Sequence, residues 1–139
     1  GWTLAEYGLH RFVLHGVQPF KRWHALHHAR PLALIATPTL LTAALFALLV
    51  GVPVWWLFPL WSASALGLGV MLGYLVYIVT HHAVHHFHGG GRWVRARRRW
   101  HALHHRDGGS AHYGVSMPWW DHALGSARPR VRERTDAAD

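Results

Sequence analysis

Cysteine is absent from the 139 residues. Disulfides, zinc–thiolate sites and iron–sulfur clusters are therefore excluded, and any bound metal must be held by nitrogen and oxygen. Charge is scarce as well. Asp, Glu, Lys and Arg make up 14% of the chain, against about 25% in soluble globular domains. Between residues 31 and 80 there is no charged side chain at all. Such a stretch suits a bilayer, where one spanning helix needs about 20 apolar residues. No signal peptide is visible, and the chain runs from Gly1 straight into an apparent helix, Trp2–Val17. We expect an upstream piece, including further membrane helices, to precede it.

Two apolar helices fit the uncharged stretch, one from Leu34 to Val50 and one from Ser62 to Thr80. Pro53 and Pro59 lie between them. Because proline cannot continue a helix without losing a hydrogen bond, the segment Gly51–Trp61 is expected to turn. Trp55, Trp56 and Trp61 suit the far membrane interface. The expected architecture is thus an all-α membrane protein, a transmembrane hairpin with both flanks on one side. Those flanks are basic: Glu6 faces Arg11, Lys21, Arg22 and Arg30 before the stretch, and ten arginines face five acids after it. The positive-inside tendency makes that side cytoplasmic. The competing reading is a soluble helical protein with the hairpin buried, since each span is slightly short for a lone crossing.

What the chain has in excess is histidine, 15 in all. Most fall in four groups: His10 with His15; His24, His27 and His28; His81, His82, His85 and His86; and His101, His104 and His105. The second and fourth groups share the same five letters, HALHH. Residues three and four apart lie on one helix face, so the three rings of each HALHH can point at one pocket. In the third group the pairs His81/His85 and His82/His86 are interleaved, and only one pair can easily face a given centre. His10 and His15 are about 140° apart on an ideal helix. Both can serve one site only if the helix bends, or if two metals approach from different sides. So many imidazoles exceed what one ion can use, which points to two metals. Imidazole alone does not choose among iron, zinc and copper. Glu6, four residues before His10, reads either as an acceptor for a ligand ring N–H or as a solvated partner of Arg11.

In combination these motifs resemble the fatty acid hydroxylase superfamily, which includes fatty acid 2-hydroxylases, sterol desaturases and carotenoid ring hydroxylases. Glu6–Gly16 is similar to that family's first histidine box. His24–His28 and His101–His105 are similar to its HxxHH boxes, and Thr80–His86 to the HxxxH box after the last membrane helix. His112–Ser126 resembles the closing segment of its fatty acid and sterol hydroxylases. The likeness covers residues 4–126. It implies a domain over 1–126 followed by a polar, disordered tail over 127–139. By that likeness the metal ligands are His10, His15, His24, His27, His28, His81, His85, His101, His104 and His105. The flanking Thr80 and Val84 favour His81 and His85 over His82 and His86. Ala29-Arg30-Pro31 departs from the family pattern, where an acidic Asp-Pro often follows the second box.

We expect an integral, multi-pass protein of a bacterial inner membrane, with its active site on the cytoplasmic side. The resemblance implies two non-haem metal ions, iron in the cell and zinc acceptable on purification, and dioxygen as co-substrate. The reaction would insert one oxygen atom of dioxygen into a lipid C–H bond, fatty acyl or sterol-like. No cytochrome-like or flavin-binding segment is visible. The two electrons must come from a separate donor, such as a cytochrome b5-like protein, a ferredoxin or a reductase. The basic helix Arg92–Arg99 offers either a docking face for it or a contact for anionic headgroups. Carotenoid ring hydroxylation or desaturation by the same centre is the rival enzymatic reading. A non-enzymatic metal transporter or sensor is the other, although residues 31–80 offer only a few hydroxyls where a transporter needs polar groups. Nucleic acid is not an expected partner, because stacking and base-reading features are missing.

Overall fold

The computed structural model describes residues 1–33 and 39–128. Its elements are α1 (Trp2–Gly8), a π-helical turn (Leu9–Leu14), α2 (Phe20–Ala29), α3 (Thr39–Phe46), a second π-helical turn (Ala47–Gly51), α4 (Val52–Leu57), α5 (Leu60–His86), α6 (Arg92–Arg106) and α7 (Trp119–Ala123). Among the described residues the chain is all helix and connection. The expected start of the first apolar helix at Leu34 lies outside the described residues, as does the expected disordered tail over 127–139 apart from Ala127 and Arg128.

The long helix α5 follows from its sequence. Pro59 precedes its first turn, and no proline interrupts the next 27 residues. It continues past the expected end at Thr80, so the third histidine group sits on the same rod as the apolar stretch. Helix α5 is the one described helix long and apolar enough to cross a membrane, and only 11% of its apolar window is buried. A core helix of a soluble protein would hide that surface. Its exposed Leu68, Met71 and Val79 form an apolar surface of the kind a bilayer would cover.

The earlier apolar segment differs from expectation. It is not one helix ending at Val50 but α3, a π-helical turn and α4. Pro53 does not break it, because Pro53 falls in the first turn of α4, where the missing N–H costs nothing. The reversal occurs later, at Phe58-Pro59, where Phe58 is extended as a residue before proline prefers. Beyond it α5 runs back alongside: the rings of Phe46 and Tyr74 lie 6.0 Å apart, and Trp2 packs against both.

Two connections fix the rest. Arg98 donates to the carbonyls of Phe87, His88 and Gly89, and Arg95 to that of Gly90. The basic helix α6 thereby takes up carbonyls of the connection that follows α5, and α6 packs on α5. Helix α1 also packs on α5 and meets α7, so the two ends of the fold close over the same region. The interior there holds few apolar side chains, Tyr7, Val84, Ala111, Tyr113 and Val115 among them. Histidines fill the remainder.

Candidate metal centre

Nine of the ten histidines expected as ligands converge into two groups. The first holds His10, His15, His24, His28 and His104; the second holds His27, His85, His101 and His105. Within each group one ring nitrogen per residue lies within 4.8 Å of the others. His81 is the tenth. Its ring lies 4.7 Å from that of His27 and 4.8 Å from those of His85 and His101, and its Nε2 is buried without a partner.

Local geometry explains how the sequence reaches this arrangement. The π-helical turn Leu9–Leu14 supplies the bend that His10 and His15 require. A π-helix closes its hydrogen bonds from i to i+5, so residues five apart come into line. The two HALHH triplets do not each aim at one pocket, as their spacing first suggests. They split. His24 and His28 enter the first group while His27 enters the second; His101 and His105 enter the second while His104 enters the first. Residues i and i+4 nearly superpose on a helix, whereas i+3 lies about 100° from i+4. Each box therefore reaches both groups, and the rings of His28 and His105 stack at 4.2 Å between them.

The nitrogens converge at ligand-like separations. His10 Nε2 lies 3.0 Å from His24 Nε2, and His104 Nε2 lies 3.1 Å from those of His15 and His28. In the second group His101 Nε2 lies 2.9 Å from that of His85 and 3.1 Å from that of His105. Two nitrogens each ~2.1 Å from one ion and ~90° apart would be ~3.0 Å from each other. The donor set thus fits one ion per group. Protonation fits too. Burial pushes His27, His28 and His105 down to about 4, and with nearby histidines holds His10, His24, His101 and His104 well below the usual imidazole range. Neutral rings are the form that binds metal.

Two tautomers are fixed by the backbone. His10 Nδ1–H donates to the Tyr113 carbonyl at 2.6 Å, and His104 Nδ1–H donates to the Ala111 carbonyl at 2.7 Å. A carbonyl only accepts, so the proton sits on Nδ1 and the lone pair on Nε2 faces the group. Sequence reasoning did not find these partners, because no side chain advertises a carbonyl. Glu6 takes neither role considered for it. Its carboxylate is buried and accepts from the amides of Val115 and Ser116, at 2.9 and 2.8 Å, and from the Ser116 hydroxyl. Arg11 donates to the Tyr7 hydroxyl instead. Asp121, fully buried, was also missed. It accepts from the amides of Tyr113 and Gly114 and from the Ser126 hydroxyl, each at 2.7 Å.

His82 and His86 stand apart, stacked on each other at 4.5 Å. We expect His81→Ala and His85→Ala each to eliminate activity. His82→Ala and His86→Ala should keep a measurable fraction, scored on variants present in the membrane at equal levels. The reverse dependence would move the register by one residue.

Beside the second group opens a cavity of about 1000 Å³. His24, His27, His81, His82, His85 and His86 all line it; Leu14, Phe46 and Ile78 are among its apolar walls. The sequence profile of the family described as fatty acid hydroxylase matches residues 1–126. The chain belongs to the fatty acid hydroxylase family. It is 33% identical to a dihydroceramide fatty acyl 2-hydroxylase of Arabidopsis thaliana, over 90% of this chain and 56% of that protein. It is 29% identical to a ceramide very long chain fatty acid hydroxylase of Schizosaccharomyces pombe, over 96% of this chain and 42% of that protein. To a fatty acid 2-hydroxylase of Homo sapiens it is 26% identical, over 94% of this chain and 39% of that protein. The chain therefore spans about half or less of the length of these family relatives. No solved structure matches it.

Proposed function

We propose that this chain is the metal-bearing part of a membrane oxygenase that hydroxylates a lipid C–H bond with dioxygen. The observation that carries the reading is the coincidence of two neutral histidine groups with an apolar cavity that opens onto them. Its volume is at the upper end of the roughly 300–1,000 Å³ typical of ligand sites. A long acyl chain would lie along Leu14, Phe46 and Ile78, with the reacting carbon near His27, His81 and His85. The ligands would be His10, His15, His24, His28 and His104 for one metal, and His27, His81, His85, His101 and His105 for the other. Bound iron would supply the redox chemistry that activates dioxygen. The chain's own part is to hold ten neutral rings in place, exclude water with apolar walls and orient the lipid.

The segment before Phe58 and α5 would form the membrane hairpin, with the histidines at the cytoplasmic face. Electrons would arrive from a separate donor. Exposed Arg92, Arg95 and Arg99 lie within about 60° of one another around α6, on the side away from His101 and His104. An acidic donor docked there would be about one helix diameter, roughly 10 Å, from the metals.

The test is lipid mass spectrometry on cells with and without the complete reading frame, combined with elemental analysis of the purified protein. We expect a lipid product heavier by one oxygen and close to two transition-metal ions per chain. An unsaturated product would assign desaturation instead. Protein without metal, purified under conditions that spare it, would refute the reading.

A further inference from the structure

The two histidine groups are supported unequally. In the first, His10 and His104 are oriented by carbonyls two residues apart, Tyr113 and Ala111. Both carbonyls can face the group because the intervening His112 adopts φ 60°, a conformation rare for residues other than glycine. Such backbone persists only where its surroundings over-determine it. Here two buried carboxylates do so. Asp121 takes the amides of Tyr113 and Gly114, and Glu6 takes those of Val115 and Ser116. Four consecutive amides are thus held by two side chains. Gly114 is part of the fit, since a Cβ there would lie 2.9 Å from Asp121 Oδ2 and 2.1 Å from the Met117 carbonyl. The Tyr7 and Ser126 hydroxyls, 2.9 Å apart, tie α1 to Ser126, whose carbonyl accepts from the His112 amide.

The second group has thinner support among the described residues: only His105 is set against a backbone carbonyl, that of His28, and no buried carboxylate clamps that backbone. His101 leaves Nδ1 buried without a hydrogen-bond partner, and His27 leaves both ring nitrogens so. Nothing fixes their tautomers before an ion arrives. Ligands whose outer partners are in place hold metal more tightly than ligands that must still be oriented.

We infer that Glu6 and Asp121 are positioning residues that clamp Ala111–Ser116 against the first histidine group, and that this makes the first group the tighter of two unequal metal sites. The inference rests on the two-metal reading above. Its consequence is ordered loading. The ion held by His10, His15, His24, His28 and His104 enters first and leaves last, and a one-metal form is the species met at limiting metal.

Cobalt(II) titration of the metal-stripped full chain in detergent, followed by its visible absorption, tests this. The wild-type protein should bind two ions in two phases. Asp121→Asn replaces an acceptor oxygen with a donor amide and should weaken the tighter phase by roughly 10–100-fold while leaving the weaker phase unchanged. Glu6→Gln should act in the same direction. His105→Ala should remove the weaker phase and spare the tighter one. Because only one phase moves, a general loss of packing is distinguished from loss of positioning. If Asp121→Asn does not reach the membrane, the wild-type titration and Glu6→Gln decide alone. Two equal sites in the wild-type protein would overturn the inference. So would carboxylate variants that lower both phases alike, or neither. Binding of no cobalt at all would remove the two-metal reading itself, and this inference with it.

Discussion

His104→Ala is expected to abolish product and to cost the protein about one metal ion per chain. His104 has no exposed surface, donates Nδ1–H to the Ala111 carbonyl and brings Nε2 to 3.1 Å from two other histidines of the first group. Alanine removes a ligand, leaves the Ala111 carbonyl without its donor and opens a void among the remaining rings. Loss of a mere outer partner of a metal costs roughly 10–100-fold, and loss of the ligand should exceed it, taking product below detection. His122→Ala is the matched control. His122 is exposed, lies outside both groups and rests against the Trp100 ring at 5.2 Å. It should retain near wild-type turnover. Product per unit of membrane-inserted protein, with elemental analysis on the same preparations, checks both. Wild-type activity in His104→Ala would remove the claim that the first group binds a catalytic metal.

Gly109→Ala should be almost as damaging, although residue 109 carries no chemistry. Gly109 has φ +73°, and a Cβ built there would lie 2.1 Å from His15 Cε1. An alanine must both adopt a conformation costing roughly 1–2 kcal/mol and displace the His15 ring. That ring is 5.3 Å from His10 and 5.0 Å from His104, so it cannot move alone. We expect product to fall by roughly 10–100-fold with insertion into the membrane preserved. Gly108 separates strain from collision. Its φ is similar, +62°, but a Cβ there meets nothing within 4 Å. Gly108→Ala should keep most activity. Equal losses in the two variants would mean that backbone strain, not contact with His15, is responsible.

How far the centre was legible in the sequence depends on the kind of interaction. Histidine spacing pointed to the rings that converge because a helix converts sequence interval into angle. It also misled, since His24, His27 and His28 looked like one cluster until the 100° between the last two was set against two separate groups. The bend between His10 and His15 was required by their interval, but its form as a π-helical turn depended on neighbours that the interval does not encode. Glu6 and Asp121 were opaque for another reason. Their partners are amides of Tyr113, Gly114, Val115 and Ser116, and every residue but proline has an amide. The chain reversal was expected within Gly51–Trp61 and falls there, but its place at Phe58-Pro59 was not legible, because Pro53 stays inside the helical run that follows the π-helical turn.

Helix α5 does two jobs without a joint between them. It is apolar from Leu60 onward, and near its other end it presents His81 and His85. From Leu60 to His81 the rise is ~32 Å at 1.5 Å per residue, close to the ~30 Å hydrocarbon thickness of a bilayer. With no hinge in between, the helix acts as a ruler. If α5 spans a bilayer, the level where lipid tails meet the far headgroups sets the depth at which the imidazoles stand, and under the proposed function it sets which carbon of an embedded chain comes opposite them. A thinner or thicker membrane must tilt the rod or deform around it. Either response would shift the histidines relative to the lipid. Under the proposed function the bilayer would itself be part of the measuring device that selects the position of attack.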